Sequence, residues 1–300
     1  MNKGHRSLTD ELKYQLKYGL MTHRLILINL TIFIFVHFLN SFIRLSEIKS
    51  SFILDLNRNL FCLETQFSQF ILKPWGLFTS IFSHFEFIHF IQNMLIFYFV
   101  GKLFEDIFSK DKLILTYIFG GILGGIFEIL SHQFFPALQA NSIVIIGASG
   151  SIMAVLSALA FYSPNMKVMF FGIVPIPIFL IAMLFWLIDL VGLSTGDDNI
   201  AHFSHLGGAI FGFFSVQNVN SSKNILVMIQ KWWNSFKLFF KRDKYKSTNR
   251  SSKKSDEDYA YEKNKKQEKT DKILDKISKS GYDSLTKEEK DFLFNQSKNG

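Results

Sequence analysis

Three groups of residues in this chain have the types and spacing for acyl-transfer chemistry. His84, His89 and Asn93 stand in the run His-Phe-Glu-Phe-Ile-His-Phe-Ile-Gln-Asn, and His89 and Asn93, four apart, share one helix face. Gly147-Ala148-Ser149-Gly150 opens an apolar stretch, and His205-Leu206-Gly207-Gly208, with Gly212 four residues further on, lies in another. A serine beside a histidine can give up its proton and act as a nucleophile. At a helix N-terminus Ser149 also sits where unpaired N–H groups and the positive dipole end favour an anion. Side-chain donors from His89 and Asn93 would complete an oxyanion hole there. No acidic residue is placed by the sequence to orient His205, so the expected arrangement is a Ser149–His205 dyad rather than a triad.

The elements that must position these groups are apolar. Residues 25–43 carry no charge over 19 residues, close to the roughly 20 that span hydrocarbon. Five more apolar stretches follow, at about 87–103, 113–130, 147–162, 169–193 and 200–216. The expected fold is an all-α polytopic membrane protein, a bundle of six transmembrane helices. Lys and Arg in the lead-in, in the 102–112 turn, at Lys167 and in the C-terminal tail put both termini in the cytoplasm under the positive-inside rule. Spans two, four and six then all run from outside to inside. His89, Ser149 and His205 each fall within about two turns of the outer end, on the order of 10 Å deep. Gly208 and Gly212 on span six, and Gly150, Ala154 and Ser157 or Ala158 on span four, form small-residue faces that allow close backbone approach. Gly121 and Gly125 add to them from span three.

Composition separates two kinds of chain. The 300 residues are 48% apolar and 16% aromatic, yet carry a net charge of +8. Residues 1–216 hold 13 basic and 13 acidic side chains, whereas 217–300 hold 20 and 12. An excess confined to a tail counts against a nucleic-acid-binding domain, whose charge spreads over a folded face. The single Cys62 excludes an internal disulfide framework and a cysteine zinc cluster.

The domain reading has four parts. Residues 1–24 form an amphipathic cytoplasmic lead-in, with Leu8, Leu12, Leu16 and Leu20 on one face. Residues 25–216 are the membrane domain. Residues 217–270 hold an interfacial helix over 225–240, with Trp232 and Trp233, and then a charged disordered linker. Residues 271–300 form a small helical module with Ile273, Leu274 and Ile277, and a capping box at Thr286 and Glu289. The basic tail suits anionic lipid headgroups.

Other polar residues have plainer readings. His202 and His205 offer two ligand atoms where zinc needs three or four, and the signature His-Glu-x-x-His is absent, so no metal is expected. His202 reads as an interfacial residue, His84 as structural, Asp197-Asp198 as a solvated turn, and Asp189 and Glu128 as structural or water-facing. No cofactor is required.

The combination of His-x4-His-x3-Asn, Gly-x-Ser-Gly and His-x2-Gly-x3-Gly on alternate spans resembles the rhomboid family of intramembrane serine proteases over about residues 70–216. Trp75, Thr79, His84, Glu105 after span two and Asp189 in span five also match it. The resemblance implies a six-helix bundle around a water-accessible cavity that opens outward. It implies Ser149 as nucleophile and His205 as general base and acid. His89, Asn93 and the Ser149 N–H would form the oxyanion hole, with Gly147, Gly150, Gly208, Gly212, Trp75, Glu105 and Asp189 in support. Substrates would be single-span membrane proteins cut near the outer edge of their helix. Two positions depart from the pattern. Gly76 follows Trp75 where an arginine is common, and Met153 stands where an aromatic often stacks on the histidine. The alternative is a non-proteolytic relative that binds or chaperones membrane helices. A transporter fits less well, because paired acidic residues and inverted repeats are lacking.

Overall fold

The computed structural model describes residues 19–46, 55–139, 144–170, 174–195, 200–241 and 256–297. The lead-in residues Leu8, Leu12 and Leu16 and the Asp197-Asp198 turn lie outside the described residues. The chain divides into two compact units, Met1–Phe236 and Lys237–Gly300.

The first unit is an all-α membrane bundle of six helices: α1 (Met21–Leu45), α2 (Phe87–Ile107), α3 (Lys110–Phe134), α4 (Ser149–Tyr162), α5 (Ile178–Thr195) and α6 (His202–Val216). Among the described residues α1, α2 and α3 are long and apolar enough to cross a membrane by length and composition. The 14 residues of α4 extend about 21 Å, short of a hydrocarbon core of about 30 Å. The helix tolerates this because it is enclosed by protein: every residue from Gly150 to Ala160 is buried. Its ends therefore need not reach the headgroups.

Charged and small residues set the packing. The N-cap residue of α1, Leu20, offers no capping side chain. Glu105, near the end of α2, accepts the Met21 and Thr22 N–H groups at 2.8 and 3.1 Å and the Thr22 hydroxyl at 3.1 Å. This supplies a carboxylate where the helix dipole favours one. Ser109 caps α3 by accepting the Lys112 N–H at 3.3 Å. The expected glycine seam is present: a Cβ on Gly208 would overlap the Gly150 carbonyl, and one on Gly212 the Ala154 carbonyl. Gly121 faces Ser151 of α4, while Gly125 faces Leu63 and Leu77 of the first loop. The seam thus draws α3, α4 and α6 together. By contrast α5 is peripheral, with Leu184, Leu187, Leu190 and Val191 exposed. Trp186 Nε1 ties it to α4 by donating to Ser157 Oγ at 3.1 Å.

The fifth span departs from expectation. The stretch expected to be helical from Met169 begins instead as an antiparallel hairpin of β3 (Lys167–Phe170) and β4 (Val174–Pro177), with Lys167 opposite Pro177, and α5 starts only at Ile178. Pro175 and Pro177 cannot donate within a helix and hold the residues before them extended.

The described part of the first connection, residues 55–86, is a folded cap. Within it β1 (Leu63–Glu64) pairs antiparallel with β2 (Val144–Ile145), the strand that leads into α4. Buried Glu64 accepts two bonds from Arg58, both 3.2 Å, and lies 3.5 Å from Lys73. Trp75 Nε1 donates to Asn59 O at 2.9 Å and Thr79 Oγ1 to Leu60 O at 2.8 Å. Gly76 has a local reason: any Cβ there would overlap the Cys62 carbonyl. The loop is anchored through Arg58, Glu64 and Lys73, with no arginine needed beside Trp75.

After α6, Asn224 caps the amphipathic helix α7 (Ile225–Lys241), accepting the Leu226 N–H at 3.0 Å. The second unit holds α8 (Asp256–Ser280) and α9 (Lys287–Ser297). Residues 256–270, read from the sequence as part of a disordered linker, are helical in this structure. That stretch is rich in Lys, Glu and Gln, which favour helices, and Glu268 stands four residues before Lys272. The capping box forms as expected. Thr286 N–H donates to Glu289 at 2.8 Å, Glu289 N–H donates to Thr286 Oγ1 at 3.3 Å, and Lys276 pairs with Glu289 at 2.9 Å.

Candidate active site

Ser149 is the first residue of α4 and His205 lies one turn into α6. Gly150 and Gly208 remove the side chains that would hold these helices apart, and His205 Nε2 lies 2.8 Å from Ser149 Oγ. The other ring nitrogen, Nδ1, lies 2.6 Å from Asp189 Oδ1 on α5. A carboxylate accepts, so Nδ1 carries the hydrogen and Nε2 presents its lone pair to the Ser149 hydroxyl. The expectation that no carboxylate orients His205 is therefore corrected: the three side chains form a Ser–His–Asp line. Asp189 also accepts from His202 Nδ1 at 2.8 Å. His202 is buried, not interfacial, with its ring against α5 at Gly192, where a Cβ would overlap it.

Two residues before Ser149, the backbone at Gly147 meets His89 and Asn93 in a small cradle. Gly147 has φ +123°, a conformation that L side chains rarely adopt, and its N–H donates to Ser80 O at 3.0 Å. A Cβ built there would lie 2.8 Å from His89 Cε1, 3.0 Å from His89 Nε2 and 3.7 Å from Asn93 Nδ2. The absent side chain lets the His89 ring pack directly against the Gly147 backbone, with the Asn93 amide close by.

His84 organises this cradle. It is fully buried, and its Nε2 accepts from Asn93 Nδ2 at 3.1 Å and from the Ala148 N–H at 3.3 Å. Both bonds need a lone pair on Nε2, so the ring must be neutral. Burial first, and the nearby His89 second, push its pKa down to about 3. One side chain thus links Asn93 to Ala148, the residue before Ser149.

Glu128 of α3 is a further support. Its Oε2 accepts the Ser204 N–H at 2.9 Å and caps α6 one residue before His205. Its backbone carbonyl and Oε1 lie 3.0 and 3.6 Å from His132 Nδ1. Trp75 and Glu105 brace the loop and α1 and do not join the cluster through any bond described here. Met153 is buried in the main apolar core. Sequence reasoning misses the orienting role of Asp189, the position of His202 and the cap from Glu128. A lone carboxylate in the otherwise uncharged fifth span was the signal for Asp189.

Comparisons with known proteins fall on the same residues. Residues 72–219 match the family model described as the Rhomboid domain, and residues 253–299 match a family of unknown function (DUF6576). Over 143 residues the chain is 27% identical to "RHOMBOID-like protein 12, mitochondrial" of Arabidopsis thaliana, covering 44% of this chain and 43% of that protein. Over 141 residues it is 31% identical to "Rhomboid protease GluP" of Bacillus subtilis, covering 47% and 25%. Over 151 residues it is 27% identical to "Presenilin-associated rhomboid-like protein, mitochondrial" of Homo sapiens, covering 46% and 36%. The matched part of this chain thus spans less than half the length of each of these relatives.

Proposed function

The chain carries a rhomboid domain and belongs through it to the rhomboid family, and from that premise we propose that it is an intramembrane serine endopeptidase acting through Ser149 and His205. The observation that carries this reading is the 2.8 Å approach of His205 Nε2 to Ser149 Oγ at the N-terminus of a buried helix.

In the proposed reaction Ser149 Oγ attacks the scissile carbonyl carbon and its proton passes to His205 Nε2. Asp189 holds the Nδ1–H and stabilises the imidazolium. The tetrahedral oxyanion accepts from His89, Asn93 and the Ser149 N–H. Collapse breaks the C–N bond as His205 returns the proton to the leaving amine. Water entering from the outer side then adds to the acyl-enzyme, with His205 as base, and releases the acid product and the free serine. The chain's own groups suffice for each proton transfer.

The substrate class is single-span membrane proteins, cut near the outer end of their helix. The chain is a multi-pass membrane protein, and the distribution of Lys and Arg supports placement in a cell membrane with both termini cytoplasmic. The basic tail would then face anionic lipid.

The test is cleavage of a tagged single-span reporter by wild type, Ser149→Ala and His205→Ala in membranes. Loss of cleavage in both variants is expected. Equal cleavage by all three would overturn the reading, and stable capture of the reporter without cleavage by wild type would favour a helix-binding role. A reporter enzyme fused after Asn220 that is active on the outer side would overturn the orientation.

A further inference from the structure

His202 and His205 supply two ligand atoms, one short of the minimum for a zinc site. The fold brings the third. Nδ1 of both rings lies against Oδ1 of Asp189, at 2.8 and 2.6 Å, and the three potential ligand atoms lie within 4.8 Å of one another. The packing of α5 seats the cluster. Gly192, three residues after Asp189 on the same face of α5, leaves room for the His202 ring, and any Cβ there would overlap it. The side chains are enclosed without being sealed, keeping 6% (His202), 13% (Asp189) and 15% (His205) of their surface. Two imidazoles and one carboxylate are a donor set that zinc takes with water in its fourth position.

We propose that Asp189, His202 and His205 form a zinc-binding site that switches the active site off. Zinc bonds of about 2.0–2.2 Å to nitrogen and oxygen put tetrahedral ligand atoms about 3.3 Å apart. The two hydrogen-bonded separations, 2.8 and 2.6 Å, need to open by about 0.5–0.7 Å, and the two Nδ1 atoms, within 4.8 Å of each other, must come to the same spacing to receive the ion. The Nδ1 lone pairs and the carboxylate then bind zinc in place of the two Nδ1 hydrogens. No electrons are transferred. In a neutral ring the displaced hydrogen moves to the other nitrogen, so His205 carries it on Nε2. That nitrogen then points an N–H at Ser149 and cannot take the serine's proton. Zinc thus removes the base from the far side of the ring without touching the nucleophile. The binding half stands on geometry alone, and the switching half rests on the protease reading.

The experiment uses the full chain purified in detergent. Cobalt(II), a visible-absorbing substitute for zinc, is titrated into Ser149→Ala, which cannot turn over substrate. One cobalt per chain, displaced by zinc and lost in both His202→Asn and Asp189→Asn, is expected. Thermal unfolding of each variant shows that it remains folded. In parallel, zinc added to wild type should lower reporter cleavage about tenfold or more, with recovery in EDTA and no effect of magnesium or calcium. Absence of cobalt binding to Ser149→Ala, or equal binding by His202→Asn, would overturn the site. Binding with unimpaired cleavage would overturn the switch. Cobalt binding beside a wild type that cleaves nothing in chelator would uphold the site and overturn both the protease reading and the switch.

Discussion

Glu128 Oε2 accepts the backbone N–H of Ser204 at 2.9 Å, so a carboxylate from α3 caps the helix that carries His205. Two helices that share no turn are thereby joined at the depth of the candidate chemistry. Removing the cap leaves a buried N–H without its acceptor, a loss of about 1–3 kcal/mol. Glu128→Ala should lower the thermal unfolding midpoint and reduce kcat more than it changes KM. Glu128→Gln keeps an acceptor oxygen and should recover most of both. Equal behaviour of the two variants would show that the capping bond is not what matters.

Asp189→Asn tests the third member of the line. An amide can donate to Nδ1 and stabilise the wrong tautomer, leaving Nε2 protonated toward Ser149. Reporter cleavage should fall about 10²- to 10⁴-fold in kcat with little change in KM. A kcat within a factor of about two of wild type would return the site to a dyad.

The glycine seam predicts a contrast between two alanine substitutions. In Gly208→Ala the new methyl group meets the Gly150 backbone carbonyl, which cannot move without shifting α4. In Gly125→Ala it meets Leu63 and Leu77 side-chain ends at 2.7 and 2.8 Å, which can rotate away. Gly208→Ala should lose about 1–3 kcal/mol or more and most of its cleavage activity. Gly125→Ala should stay close to wild type in both. Chemical denaturation together with reporter assays separates the two.

His84 gives a pH dependence with a defined sign. Its folded pKa of about 3 lies below the ordinary value of about 6.5. Between these values the unfolded chain binds a proton that the folded chain refuses, so stability is full above about pH 6.5 and declines as the pH falls toward 3. The drop in unfolding midpoint between about pH 7 and pH 5 should be smaller in His84→Asn, which keeps an acceptor without titrating. An identical drop in both proteins would exclude His84 as its source.

Most of the six helices are legible because charges bound their apolar runs; between Glu128 and Lys167 no charge intervenes, and the start of α4 is marked by Gly147 to Gly150 instead. The Ser149–His205 meeting is legible because Gly150, Gly208 and Gly212 mark the faces that must touch. Asp189 is not legible in this way. It lies 16 residues before His205 on a different helix, and the rotation of α5 that aims it comes from packing, as in the Trp186–Ser157 contact. The β3–β4 hairpin escapes a hydropathy reading because its residues are as apolar as those of α5, and only Pro175 and Pro177 distinguish them. The cap from Glu128 has no local signature, since donor and acceptor stand 76 residues apart. Residues 256–270 show the reverse conflict: their charge suggests an unfolded linker, while their individual preferences are helical.

The peripheral seat of α5 divides responsibility for the chemistry. Ser149 and His205 stand on helices locked by backbone-to-backbone approach, so their pairing lasts as long as the bundle does. Asp189 stands on a helix whose outer face is exposed and apolar, so its bond to His205 depends on the seating of that one helix. A shift of α5 alone would loosen that bond while Ser149 and His205 stay in register. On the protease reading, loosening α5 lowers cleavage before it lowers the unfolding midpoint, so the two quantities are separable.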